Sequence, residues 1–321
     1  MKHIKERQIF ESDYNKMIND KNFQILVTVQ VVTYMHEKYI SQCLESILMQ
    51  KTDFDFEIVI NDDASVDNTA VIISKFENNY PNKIKAIYQK ENQYSKYGFK
   101  NIRNQIHNLS VGKYIALCEG DDYWTDTLKL QKQVDFLESN PKYSICFTNV
   151  SELIENKIVN SKINLIIGKN KNYETNLSNF LNPYFFYTCS SLYRNVIDIN
   201  VFDKLKYCKD IFLFSLILEY GDLYLLNQVC SVYRIHEGGN WSMKSKFKNL
   251  VENTNTFGEM AQYHKYKITL INECYLWGLI DLNYLEGVKY KFRINCFLKF
   301  VKFCFRKPKY FKLLFRDFLR L

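Results

Sequence analysis

Hydrophobic and polar positions along the chain alternate between two periods. The run QILVTVQVVTY (24–34) is apolar almost throughout and of strand length; after it Ile40, Leu44, Ile47 and Leu48 fall at helical spacing. FEIVI (56–60) predicts a second strand, and Ile72, Ile73 and Phe76 mark a second helix. KIKAIYQ (83–89) predicts a third strand, with Phe99, Ile102, Ile106 and Leu109 on one face of the helix that follows. KYIALC (113–118) is the fourth strand, Leu130, Val134 and Leu137 mark the fourth helix, and YSICFTNV (143–150) is the fifth strand. Alternation of this kind predicts an α/β fold whose mostly parallel sheet is covered by helices on both faces.

Beyond residue 150 the pattern is less regular. NPYFFYTCSSLYR (182–194) is aromatic and loop-like, KDIFLFSLILEYG (209–221) predicts a helix ended by Gly221, DLYLLNQVCSVYRIH (222–236) reads as a strand pair, and 246–288 as further helix. With 321 residues, 47% of them hydrophobic, and only 10 Gly and 4 Pro, the chain is a globular protein with a sizeable core. The net charge of +8 is uneven: from Lys289 onward seven Lys and four Arg face one Asp, a net of +10, which leaves −2 for residues 1–288. Basicity therefore belongs to the tail, and nucleic acid is not an expected partner. The nine cysteines are scattered and never spaced CxxC, which opposes a disulfide framework or a cysteine zinc site. Residues 1–23 hold no apolar core of signal-peptide length, and no run approaches the roughly 18 apolar residues of a spanning helix. The expected location is the cytoplasm.

In open α/β sheets ligands bind outside the carboxyl ends of the strands. Two acidic clusters fall there, Asp62-Asp63 after the second strand and Asp121-Asp122 after the fourth, the latter inside CEGDDYW (118–124). No GxGxxG follows the first strand and no GxxxxGK[ST] occurs, so a bound nucleotide needs another way to hold its phosphates. A hard divalent ion held by one or two carboxylates, with phosphates completing its shell, supplies one. The competing reading of Asp121-Asp122 is a polar turn capping the next helix. The segment NDDASVDNTA (61–70) likewise suffices as a turn and N-cap.

VQVVTYMHEKYISQCLESILMQKTDFDFEIVINDDASVDNTA followed by GKYIALCEGDDYWTDTLKLQKQVDFLE resembles the family 2 glycosyltransferases of GT-A type. The likeness covers about 24–150 and resumes at 205–242. It implies a nucleotide-sugar-binding half (24–150) and an acceptor-binding half (151–245) of one Rossmann-like GT-A domain, preceded by an extension (1–23) and followed by a helical, basic, aromatic tail (246–321). Thr33 and Asp63 match positions lining the base and ribose pocket. Asp122, with Asp121 beside it, matches the metal and diphosphate motif, here Glu-Gly-Asp-Asp in place of a literal Asp-x-Asp. Arg103-Asn104 resembles an Arg-Asn pair that faces the phosphates. Asp210 stands where the general base is found, with Lys209 replacing the usual Glu. His236 matches a histidine that reaches back to the metal, and Trp241, after Gly238-Gly239, stands where a loop closes over the sugar. The first strand is followed by Tyr34-Met35-His36 where Tyr-Asn is commoner, which weakens a claim for residue 36.

The activity so implied is inverting, Mn²⁺- or Mg²⁺-dependent transfer of a sugar from a nucleotide-sugar, a UDP-sugar being favoured, to a hydroxyl of a glycan or lipid-linked acceptor in surface polysaccharide synthesis. Asp210 discriminates it from a nucleotide-sugar-binding protein without catalysis, which needs no base there, and salt-sensitive binding of tail-deleted protein separates it from a basic adaptor whose tail binds membrane or nucleic acid. In the tail, Ile294, Phe297, Leu298, Val301 and Phe305 share a helical face with Lys299, Lys302 and Arg306 on another, and Phe311, Leu314, Phe315 and Phe318 stand opposite Lys312, Arg316 and Arg320. Such a pattern suits an interfacial helix on anionic lipid. The alternative is packing on its own domain or on a second subunit, so an oligomer stays open.

Overall fold

The computed structural model describes residues 24–169, 171–181, 186–207, 209–237, 245–284 and 290–310. In chain order the first elements are β1 (Val27–Thr33), α1 (Ile40–Leu48), β2 (Phe56–Asp62), α2 (Thr69–Asn79), β3 (Ile84–Tyr88), α3 (Gln93–Tyr97), α4 (Phe99–Leu109) and β4 (Tyr114–Glu119). Then follow β5 (Tyr123–Trp124), α5 (Lys129–Ser139), β6 (Tyr143–Ile154), β7 (Lys157–Asn160), α6 (Ile163–Ile167), β8 (Tyr173–Thr175) and β9 (Ser191–Arg194). The last are α7 (Asp210–Ile217), β10 (Asp222–Ile235), α8 (Lys246–Tyr263), α9 (Thr269–Tyr284) and α10 (Tyr290–Arg306).

The sheet order is β3-β2-β1-β4-β9-β6-β10-β5, with β7 on β6 and β8 on β10. β1 pairs in parallel with both β2 and β4, and β3 extends β2 in parallel. β6 and β10 are parallel to each other, while β9 runs antiparallel between β4 and β6. The α/β arrangement with a parallel sheet, expected from the periodicity, is present in β3-β2-β1-β4 and in the β6-β10 pair. Val27, Val29 and Val31 of β1 are fully buried and so is Thr28 on its other face, as a central strand covered on both sides requires. α1 buries Ile40, Leu44 and Ile47, and α5 buries Leu130, Val134 and Leu137.

Several elements differ from the sequence reading. Residues 222–235 form one strand, not a pair, because register shifts after Asp222, Leu226 and Val229 absorb the polar break at Asn227-Gln228 without a turn. SLYR, read as loop, is the buried strand β9, too short to show a period. α7 ends at Ile217, ahead of Gly221. A Cβ at Gly221 would lie 2.6 Å from the Ser144 nitrogen, so glycine serves close approach to β6 there. Leu109 is exposed and does not share the buried face of Ile102 and Ile106.

Behind the sheet's carboxyl edge Lys129 is fully buried, its Nζ donating to Gln133 Oε1 at 2.8 Å and lying 4.1 Å from the Trp124 ring centroid. Burial lowers it from 10.5 to about 8. The unfolded chain then binds more protons between those values, so this residue makes stability rise with pH across the window, by about 3 kcal/mol at most. Buried thiols such as Cys146, pushed up to about 12 by desolvation, act in the opposite sense. The readout is therefore the difference in denaturant-unfolding free energy between wild type and Lys129→Met. The wild type is expected to gain on the variant as pH rises from 8 to 10.5; a flat difference would contradict the buried ammonium.

The described residues form two compact units, the first ending at His236 and the second beginning at Glu237. In the second, α9 and α10 share a core of Leu276, Leu279, Ile280, Phe300, Phe303 and Cys304.

Candidate active site

The loops after β1 and β2 are knitted together before any ligand is considered. Met35 takes a left-handed conformation (φ 59°), and its N–H donates to Ser65 Oγ at 2.8 Å. The next two N–H groups donate to Thr69 Oγ1 (2.9 Å, from His36) and Asp67 Oδ2 (3.2 Å, from Glu37). Glu37 in turn accepts from the Asn68 backbone N–H at 3.0 Å. Asp62 is buried and accepts from the Ser65 N–H and hydroxyl; burial pushes its carboxyl up against those bonds. Thr33 and Asp63 are both buried, and the Thr33 carbonyl accepts from the Asp63 N–H at 3.0 Å. Both Asp63 carboxylate oxygens accept backbone N–H groups at the start of α3, from Gln93 (2.6 Å) and Tyr94 (2.9 Å). The carboxylate assigned by resemblance to the base and ribose pocket thus carries α3, with lone pairs left for a further donor.

The second cluster is set by β4, β5 and β10. β4 ends at Glu119, a turn through Gly120-Asp121 follows, and β5 then pairs antiparallel with Ser231 and Val232 of β10. That pairing brings Arg234 over the turn. Its N–H donates to Asp122 Oδ1 at 2.8 Å, and its side chain donates to the Asp121 carbonyl at 3.3 Å. The guanidinium lies between the rings of Tyr39 (4.9 Å) and Tyr123 (4.7 Å). Two residues on, His236 Nε2 is 3.0 Å from Asp121 Oδ2, and His36 Nε2 is 3.7 Å from the same oxygen.

Charge here is unevenly compensated. Burial alone would raise Asp121, but the His236 hydrogen bond and the charge of both imidazoles hold it below the usual range. Asp122 is driven well up by burial and then by the charge of Asp121, and Glu119 by burial and then by Asp122, Asp210 and Asp121. Asp122 Oδ2, Glu119 Oε2 and His36 Nδ1 are buried without a nitrogen or oxygen partner, the Cys189 thiol lying beside the Asp122 carboxyl. Buried acceptors of this kind cost stability unless a ligand satisfies them. Gly120 is sterically required: a Cβ there would lie 2.6 Å from Thr33 Oγ1 and 3.0 Å from His36 Nδ1. Gly120→Ala is expected to lose about 1–3 kcal/mol of stability by overpacking, read from urea unfolding, and nucleotide binding with it.

On the other flank, Asp210 opens α7 and pairs with Arg103 of α4. Thr188 Oγ1 donates to its second oxygen at 3.3 Å. Arg103 also lies against Phe99 (5.4 Å) and Phe202 (5.9 Å). The structure thus brings Asp121, Asp122 and His236 together and pairs Arg103 with Asp210, whose charge reaches Glu119. Trp241 and Gly238-Gly239 lie outside the described residues.

Among the described residues no three His, Cys, Asp or Glu side chains converge as a ready-made metal cage. The orphaned Asp122 oxygen and the Asp121–His236 pair nevertheless fit a divalent ion whose remaining positions are filled by phosphate oxygens. Imidazole nitrogen beside carboxylate suits Mn²⁺ better than Mg²⁺.

The model of the family described as "Glycosyl transferase family 2" matches residues 28–202, spanning β1 to the loop after β9. The chain belongs to glycosyl transferase family 2. It is a glycosyltransferase of GT-A fold. Among its relatives is the uncharacterized protein Rv1520 of Mycobacterium tuberculosis, 27% identical over 280 residues, which are 81% of this chain and 76% of that protein. The Escherichia coli UDP-Glc:alpha-D-GlcNAc-diphosphoundecaprenol beta-1,3-glucosyltransferase WfaP is 35% identical over 114 residues, 36% of this chain and 42% of WfaP. In fold, the chain is similar to S. aureus TarS 1–349 in complex with UDP-GlcNAc, with a TM-score of 0.60 at 18% identity, covering 87% of this chain and 81% of that one.

In this transferase three residues join the site that the sequence reading leaves out or discounts. Glu119 lies within CEGDDYW but matches no role of its own. His36 falls where the family pattern differs, yet it stands on Asp121. Arg234 carries the turn from a strand far along the chain. Their shared signal is position: each lies at or just past the carboxyl end of β1, β4 or β10.

Proposed function

We propose that this glycosyltransferase inverts the anomeric centre while moving a hexose or N-acetylhexosamine from a nucleotide-sugar to a hydroxyl of a glycan or lipid-linked acceptor in surface polysaccharide synthesis. The observation that carries the reading is the buried acidic cluster at the carboxyl end of β4, where Asp122 Oδ2 and Glu119 Oε2 have no nitrogen or oxygen partner and two imidazoles stand on Asp121, with Asp210 near enough for its charge to raise Glu119. A leaving diphosphate held through a cation needs such a cluster, and an attacking hydroxyl needs a carboxylate near it. A UDP-sugar is the favoured donor and a lipid-linked glycan the favoured acceptor, supported by the names of WfaP and of the TarS complex.

Asp210 accepts the acceptor's hydroxyl proton as the new bond forms on the face away from the diphosphate, which requires its carboxylate within hydrogen-bond reach of that hydroxyl. Arg103 and Thr188 fix the orientation of that carboxylate. Asp122, Asp121 and His236 would hold Mn²⁺, or failing it Mg²⁺, and the ion, when bound, neutralises charge gathering on the diphosphate. Arg234 keeps the Asp121-Asp122 turn in place through its N–H and guanidinium. Thr33 and Asp63 border the base and ribose.

The test is thermal unfolding with UDP, GDP, dTDP or CMP, each with and without Mn²⁺. A ligand at 100 times its Kd adds about 2.7 kcal/mol. A Mn²⁺-dependent rise with UDP is expected. A rise with another nucleotide would reassign the donor, and no rise with any in folded protein would contradict the reading.

A further inference from the structure

The second unit contains a helix, α10, whose two sides differ in burial. Among the described residues, one side of α10 is buried in the core of this unit: Cys296, Phe300, Phe303 and Cys304. At about 100° per residue these four occupy one half of the helix. The opposite half carries Ile294, Leu298 and Phe305, which are 41%, 57% and 73% exposed, within about 40° of one another. Beside that stripe Lys302, Arg306 and Lys299 form a second exposed line. No carboxylate of a described residue is paired with any of the three. Arg306 donates one N–H to the Tyr266 hydroxyl, at 2.6 Å.

This division revises the face read from periodicity. Phe297 and Val301 turn toward the core, so the sequence's five-residue apolar face splits into a packed edge and an outward stripe. Core formation therefore accounts for only part of the apolar content of the helix, and Ile294, Leu298 and Phe305 keep large exposed areas. An apolar line flanked by a basic one has the chemistry of a helix lying in the plane of a negatively charged bilayer, with side chains entering the acyl boundary and cations at headgroup depth. Among the described residues no helix is long and apolar enough to cross a membrane, so contact would be along the surface.

We propose that the exposed face of α10, Ile294, Leu298 and Phe305 with Lys299, Lys302 and Arg306, docks on an anionic lipid surface. Charge complementarity selects this occupant, because a second copy of the same face would set three cations against three. The inference is independent of the donor and of the base.

The test is co-sedimentation of the full chain with vesicles of phosphatidylcholine alone or with added phosphatidylglycerol. Binding is expected only with the anionic lipid and is expected to weaken with salt. Each cation near such a surface contributes about fivefold, so Lys299→Gln/Lys302→Gln/Arg306→Gln is expected to lower partitioning about a hundredfold. Leu298→Ser/Phe305→Ser is expected to lower it further without altering the nucleotide-dependent thermal shift. Equal binding to both vesicle types, or binding unchanged in both variants, would overturn the proposal. So would a Leu298→Ser/Phe305→Ser protein that loses self-association and had no vesicle binding to lose, which would make the face an interface between copies. Failure of sugar transfer with vesicle binding intact would count against the proposed reaction and not against this surface.

Discussion

Asp210→Asn is expected to lower the single-turnover rate of sugar transfer by about 10²–10⁴-fold, the range over which a positioned general base acts. Asparagine keeps an oxygen that can accept from Arg103 and another polar atom beside Thr188, so the packing around α7 changes little. What it removes is the capacity to take a proton. The Mn²⁺-dependent nucleotide shift is therefore expected to persist while the rate collapses. A rate within about tenfold of wild type would assign the proton elsewhere, and a lost nucleotide shift would make Asp210 a binding residue.

The second large effect is at Asp122. Asp122→Asn is expected to abolish the Mn²⁺-dependent thermal shift and to lower metal-dependent transfer by about a hundredfold or more, as loss of a principal electrostatic contact does. Metal-free protein is expected to melt at the same temperature or higher. The substituted amide retains an oxygen for the Arg234 N–H, and the change takes a like charge away from Asp121 and Glu119. Lost function with retained or increased stability is the signature of a residue held in an unfavourable setting for its ligand. A variant that kept full metal-dependent transfer would remove Asp122 from the site.

The parallel half of the sheet was legible because β1, β2 and β4 are buried on both faces and read as apolar runs, while α1 and α5 show helical spacing over nine and eleven residues. β9 was not legible, since four buried residues carry no period and its identity as a strand comes from β4 and β6 on either side. β10 was misread because bulges preserve pairing across polar residues that resemble a turn. In the site, strand-end position located both acidic clusters. The pairing of Arg103 with Asp210, the two imidazoles on one oxygen of Asp121, and the cover of Asp122 by Arg234 are contacts between distant segments, which no local pattern encodes.

β10 has a consequence for how this enzyme can change over generations. The strand supplies Arg234 and leads directly into His236, so the cover of Asp122 and the imidazole on Asp121 hang from one backbone. Because alternate residues of a strand point to opposite sides, one residue inserted or deleted between the bulge at Val229 and Arg234 would turn both away together. A change of length along this stretch would cost both contacts at once, whereas the connecting loops can change length and leave them in place. The two contacts therefore stand or fall as a single block.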